Sequence, residues 1–226
     1  MESAARKSKF LATPEKGEVS ALLIRPEHAA YQLVLAHGAS TNLRHRTMEQ
    51  IAEALARENI ATFRYNFPYS EHGTARNSAV VCMETIRNAV KAARDAAPDL
   101  PILAGGHSFG GRMTTNAQSE EPLENVIGLA LFSFPLHMPG KPDTKRAEHL
   151  AKIQVPMLFL SGTRDALAEL DLLEPVVKNL GKKAKLHLLD TADHSYKILK
   201  KTRSSREDVF AEMARAVREW AGKLKA

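Results

Sequence analysis

Gly105-Gly106-His107-Ser108-Phe109-Gly110-Gly111 is the stretch of this 226-residue chain that decides its fold. It holds Gly-x-Ser-x-Gly from Gly106 to Gly110, between an apolar run at residues 101–104 (PILA) and a helix-like run at residues 109–119. A serine on a sharp strand-to-helix turn is held in a strained backbone conformation. Small residues two positions to either side let neighbouring backbone approach without a Cβ clash. Such a turn lifts the hydroxyl above the sheet and aims a helix N-terminus, which favours negative charge, at the same point. By itself the pattern arises by chance in very roughly one chain in fifteen of this length. The strand before it and the helix after it give it weight.

Working outward, strand and helix signals alternate. Residues 19–24, 31–36, 60–65, 127–134, 156–161 and 185–189 are short apolar or β-rich runs. Met48, Ile51, Ala52 and Leu55 recur at helical spacing, with Asn59 as a C-terminal stop; a longer helix runs from Val80 to Ala93. Residues 170–180 read as a helix stopped by Gly181. Ser204-Ser205-Arg206-Glu207 reads as a capping box opening a last helix, with Val209, Met213, Val217 and Trp220 on one face. This alternation predicts an α/β protein: a mostly parallel central sheet with helices on both faces. Residues 1–226 read as one domain, with residues 1–17 as a loosely ordered N-terminal segment. Residues 135–154 form the one long irregular stretch, and such loops are usually functional.

A serine hydroxyl needs a base within hydrogen-bond reach, and the base needs an orienting group. Behind a turn of this kind the partners follow in the order acid, then histidine, each after a strand. The run 156–161 leads into Gly162-Thr163-Arg164-Asp165, and 185–189 into Asp190-Thr191-Ala192-Asp193-His194. Asp165 and His194 therefore stand in the expected places, at carboxyl ends of strands, where open α/β sheets hold ligands. Asp190, Asp193 and Asp171 compete as the acid; Asp193, adjacent to His194, is badly placed to reach its Nδ1. Backbone N–H donors for a developing oxyanion are expected at Phe109, after the nucleophile, and at Ala39, after His37-Gly38. His37 reads as a buried brace for that loop, and Cys82 as inert helix packing. Gly38, Asn66 and Met138 are the expected substrate contacts. Arg146 and His149, in the long loop, could meet an anionic substrate, but solvated loop charge is the favoured reading of such runs by about two to one.

Lys and Arg number 32 against 26 Asp and Glu, a net charge of +6 and a pI near 9.4. The excess sits mostly in residues 182–185 and 197–206, without interleaved aromatic side chains, so it reads as a solvated face and nucleic acid is not an expected partner. With 44% hydrophobic residues the chain can bury a sizeable core. No apolar run reaches the ~18 residues of a membrane span. One cysteine and a charged N-terminus without an apolar core suggest a reducing, cytoplasmic setting. No Cys/His spacing suggests a metal.

The chain resembles the α/β-hydrolase superfamily from about Glu18 to Leu224. More narrowly it is similar to the small dienelactone-hydrolase-like branch that includes testis-expressed protein 30 and its bacterial relatives. Leu35-Ala36-His37-Gly38-Ala39, residues 105–111, Gly162-Thr163-Arg164-Asp165 and Asp193-His194-Ser195 are shared widely among hydrolases. Arg64-Tyr65-Asn66-Phe67-Pro68-Tyr69 and Phe134-Pro135-Leu136-His137 narrow the branch. The resemblance implies Ser108 as nucleophile, His194 as general base, Asp165 as its orienter, no metal or organic cofactor, and little or no cap domain. Two departures stand out. Ser108 occupies the position at which dienelactone hydrolases proper carry cysteine, so lactone specificity does not transfer. Ala166-Leu167-Ala168 replaces an expected Pro-containing turn. The expected activity is hydrolysis of a small ester or thioester through a covalent acyl-enzyme. The alternatives are a non-catalytic interaction module on the same scaffold, or an acyltransferase or perhydrolase using the same site.

Overall fold

A computed structural model describes residues 5–224. Eight strands form one sheet in the order β1-β2-β4-β3-β5-β6-β7-β8. They are β1 (Arg6–Thr13), β2 (Gly17–Ile24), β3 (Tyr31–Ala36), β4 (Ile60–Tyr65), β5 (Ile102–His107), β6 (Val126–Phe132), β7 (Met157–Gly162) and β8 (Ala184–Leu189). The β1–β2 and β2–β4 pairs are antiparallel; all later pairs are parallel. The helices are α1 (Arg46–Arg57), α2 (Pro68–His72), α3 (Ala79–Ala96), α4 (Phe109–Glu120), α5 (Leu170–Asn179) and α6 (Val209–Ala221).

Strands buried on both faces carry continuous apolar runs, because alternate side chains serve different helix layers. In β3, Val34 and Ala36 face a core shared with Ile86 and Val90 of α3, Met113 of α4 and Leu173 of α5. Leu33 and Leu35 face a second core with Met48 and Ile51 of α1 and Met213, Val217 and Trp220 of α6. This is the α/β-hydrolase fold, with no separate cap domain evident among the described residues.

Three expectations need correction. Within residues 1–17, residues 6–13 form β1, paired with β2 along its length, while residues 1–4 lie outside the described residues. The strand escaped notice because it is an edge: only Phe10, Ala12 and Thr13 are buried, and Lys7 and Lys9 face water, as edge strands commonly do. Phe10 anchors it against the rings of Phe63 and Tyr65, at 6.0 and 5.8 Å. The expected capping box does not form. Asp208 caps α6 instead, accepting from the Phe210 and Ala211 N–H groups, while the Ser204 N–H and hydroxyl both donate to Asp190. Third, the long loop contains a 3-10 helix, Lys145–Lys152, that packs Leu150 into the first core.

Candidate active site

Strand β5 runs on past the expected residue 104 to His107, so Ser108 sits directly on the strand end, as the N-cap of α4. Its φ of 53° and ψ of −117° lie where an L-residue is strained, and its N–H is held by the Phe132 carbonyl at 2.8 Å. The flanking glycines are required by contact. A Cβ on Gly106 would stand 2.5 Å from the Ala36 carbonyl oxygen, and one on Gly110 would stand 2.5 Å from the same oxygen. The end of β3 thus presses on the turn at both glycines, and only hydrogen fits.

The Ser108 hydroxyl lies 2.8 Å from His194 Nε2, and His194 Nδ1 lies 2.9 and 2.8 Å from the two carboxylate oxygens of Asp165. With a carboxylate on Nδ1, the proton resides there, and Nε2 accepts from the serine. The Asp165 side chain is wholly buried and the imidazole about one-fifth exposed. Asp165 Oδ1 also accepts from the Leu167 N–H at 2.9 Å, and Ala168 N–H donates to the Asp165 carbonyl. The carboxylate therefore builds its own turn, which explains how Ala166-Leu167-Ala168 serves without proline.

The acid and histidine loops are laced together by hydrogen bonds. Thr163 N–H donates to the Leu189 carbonyl, Arg164 N–H to the Ala192 carbonyl, and Thr191 N–H to Thr163 Oγ1. The competing acids are engaged elsewhere: Asp193 Oδ1 accepts from the Ser195 and Lys197 N–H groups, Asp190 holds Ser204, and Asp171 lies in the first turn of α5. His107 Nε2 donates to the His194 carbonyl at 3.1 Å and steadies the histidine loop. Burial, reinforced by the neighbouring His194, lowers the His107 pKa to about 4, so it stays neutral.

Across the turn, Phe109 is the first residue of α4 and Ala39 lies in the loop after β3. Among the described residues neither N–H has a hydrogen-bond partner, as expected of donors kept for an oxyanion. His37 is fully buried; burial lowers its pKa to about 4, its Nε2 accepts from the Phe67 N–H, and its Nδ1 meets the Gly38 carbonyl at 2.7 Å. It braces the loop that carries Ala39 and has no path to the reacting atoms.

The expected substrate contacts fare differently. Gly38 lies in the loop after β3, its carbonyl accepting from Thr41 Oγ1. Asn66 is a structural brace: its Oδ1 accepts from the Leu43 N–H and its Nδ2 donates to Glu71. It borders a hollow of about 560 Å³ beside β1 and β2 that contains none of Ser108, Asp165 and His194. Met138 is half-exposed and bridges to Lys141. Arg146 donates to the His137 carbonyl and His149 lies 2.8 Å from Thr115 Oγ1. Burial, with Arg112 and Lys152 nearby, lowers the His149 pKa to about 4. Sequence reading passed over Arg112, although it stands four residues after Ser108, one helical turn on. Its guanidinium and that of Arg76 lie 5.8 and 5.2 Å from the centre of the Phe109 ring. Among the described residues no group of three or more His, Cys, Asp or Glu side chains is placed to hold a metal ion, and no helix is long and apolar enough to cross a membrane.

A mostly parallel sheet with a strained serine at the carboxyl end of β5, beside an aspartate and a histidine that follow β7 and β8, defines an α/β hydrolase. The chain belongs to the alpha/beta hydrolase domain family, whose model matches residues 29–222. Its fold is similar to that of a dienelactone hydrolase from Anabaena variabilis, at 16% identity and a TM-score of 0.75, over 98% of this chain and 99% of that one. It is similar also to an α/β serine hydrolase without a lid from Xanthomonas campestris (18% identity, TM-score 0.73, 100% and 98% covered). A third similar structure is an esterase from Pyrococcus furiosus (16%, 0.75, 99% and 92%).

Proposed function

We propose that this hydrolase is a serine enzyme acting on small esters or thioesters through Ser108, His194 and Asp165. The observation that carries the reading is the unbroken hydrogen-bonded line from the buried Asp165 carboxylate through the imidazole to a strained serine hydroxyl. Ser108 Oγ attacks the carbonyl carbon as its proton passes to His194 Nε2; the carbonyl π pair moves to oxygen, where the Phe109 and Ala39 N–H groups receive it. The tetrahedral species collapses, the alcohol or thiol leaves with the proton from Nε2, and Ser108 is left acylated. Water then adds to the acyl carbon, gives its proton to His194, and releases the acid and free serine. With no cap domain evident, short acyl groups fit an open site best.

The test is a panel of 4-nitrophenyl esters of increasing acyl length, run with the wild type and Ser108→Ala. Hydrolysis that falls by roughly 10⁴-fold or more in the variant, with fluorophosphonate labelling of Ser108 in the wild type only, is the expected result. Equal hydrolysis by both proteins removes Ser108 from the chemistry.

A further inference from the structure

Phe109 has two ends. Its N–H is a proposed oxyanion donor, and its ring is the floor on which the guanidinium groups of Arg76 and Arg112 rest. Arg146 lies on the 3-10 helix Lys145–Lys152, which is tied to α4 by the His149–Thr115 hydrogen bond, and its charge, with that of Arg76, adds to burial in lowering the Arg112 pKa. Among the described residues none of these three is ion-paired, and no carboxylate offsets the charge at Arg112. Arg146 bonds only a carbonyl, that of His137. His149, held neutral, adds no charge. Beside the cluster lies a cleft of about 490 Å³ lined by Ala39, Thr41, Tyr69 and Arg76, so the same hollow touches the oxyanion loop and a free guanidinium.

Arginine is always charged, and two guanidiniums on one ring, with a third on the adjoining 3-10 helix and no acid among them, offer an anion a set of donors with no competing carboxylate. Guanidinium forks match phosphate oxygens bidentately, and a phosphate monoester brings two charges where a carboxylate brings one. We propose that the Arg76–Arg112–Arg146 cluster binds a phosphate dianion carried by the substrate, so that the preferred substrate is an ester whose acyl part ends in a phosphoryl or phosphonyl group. This rests on the serine-hydrolase reading and names its substrate class.

Three ethyl esters that differ only beyond three methylenes test it: ethyl 4-phosphonobutanoate, monoethyl glutarate and ethyl pentanoate, followed by pH-stat at low ionic strength and at about pH 8.5, where the phosphonate is mainly a dianion. Each is also read as an inhibitor of 4-nitrophenyl acetate hydrolysis, so that binding without turnover is scored. The phosphono ester is expected to exceed ethyl pentanoate by about ten- to a hundredfold in kcat/KM, or in inhibition. Monoethyl glutarate falls between them, and added salt compresses the series. Arg112→Gln and Arg76→Gln each reduce the phosphono-to-pentanoate ratio several-fold, whereas Arg57→Gln, on the far surface of α1, leaves it unchanged. A glutarate ester that outpaces the phosphono ester overturns the dianion. If the three esters are equal, or if the ratio survives both arginine substitutions, anion recognition is overturned while Ser108 labelling leaves the hydrolase reading standing. Failure of every ester together with failure of fluorophosphonate labelling overturns both.

Discussion

The turn that carries Ser108 and the paired loops that carry Asp165 and His194 hold their side chains by different physics. At the serine turn the constraint is steric: backbone of β3 packs where a side chain would otherwise stand, and any Cβ at Gly106 or Gly110 collides with the Ala36 carbonyl. At the paired loops the constraint is hydrogen bonding, through main-chain donors and acceptors and the hydroxyl of Thr163. Steric exclusion dictates residue identity, so it leaves a spaced pattern in the sequence. Backbone hydrogen bonds accept almost any side chain, so the second region leaves only an order of residues along the chain.

The sharpest break is expected at Asp165, the proposed orienting acid. Asp165→Asn keeps the shape but supplies an amide that favours the wrong imidazole tautomer; kcat is expected to fall by roughly 10³–10⁴, with little change in melting temperature. Loss of less than tenfold would mean that another carboxylate serves. Gly106→Ala should cost about 3 kcal/mol or more in urea denaturation, because backbone cannot yield as a side chain can. A neutral result there would remove the steric account of the turn.

Acid should expose the buried histidines next. His37, His107 and His149 titrate near 4 when folded and near 6.5 when unfolded. Between those values the unfolded chain binds protons that the folded one does not. Their contribution is therefore complete above pH 6.5 and is lost as pH falls toward 4. The unfolding free energy from urea titration should drop by about 1–2 kcal/mol for each of the buried His37 and His107 between pH 7 and 5, and by less for the partly exposed His149, before most carboxylates titrate. His37→Gln should flatten that slope; an unchanged slope would show that His37 is not among its causes. Thr163→Val, which strands the Thr191 N–H, should cost about 1–2 kcal/mol and lower kcat while KM stays. Smallest of all, Asp193→Asn should change kcat less than about threefold, since its carboxylate faces the Ser195 and Lys197 N–H groups and not the imidazole.

The parallel strands were legible because burial on both faces forces apolar runs; β3 and β4 match the read boundaries to the residue. Strand β1 was not, since an edge strand with Lys7 and Lys9 outward carries half a pattern. The start of α6 was misread because Ser204 satisfies a capping motif on paper but is taken by Asp190 in space. Asn66 was assigned to substrate for want of any sequence sign that Leu43 and Glu71 would occupy its amide.

What the amino-acid order determined alone was the alternation of strand and helix, the glycine-flanked serine and the succession of acid and histidine. These follow from periodicity, from the volume of a Cβ and from the geometry of a strand end. Which aspartate faces the imidazole, that β1 completes the sheet, and that Arg76 and Arg112 meet on one phenyl ring were decided only by tertiary packing. The aspartate and the arginines meet partners far away in the chain, β1 is an edge with half a pattern, and nothing local distinguishes a guanidinium or carboxylate that will meet a partner from one that will meet water.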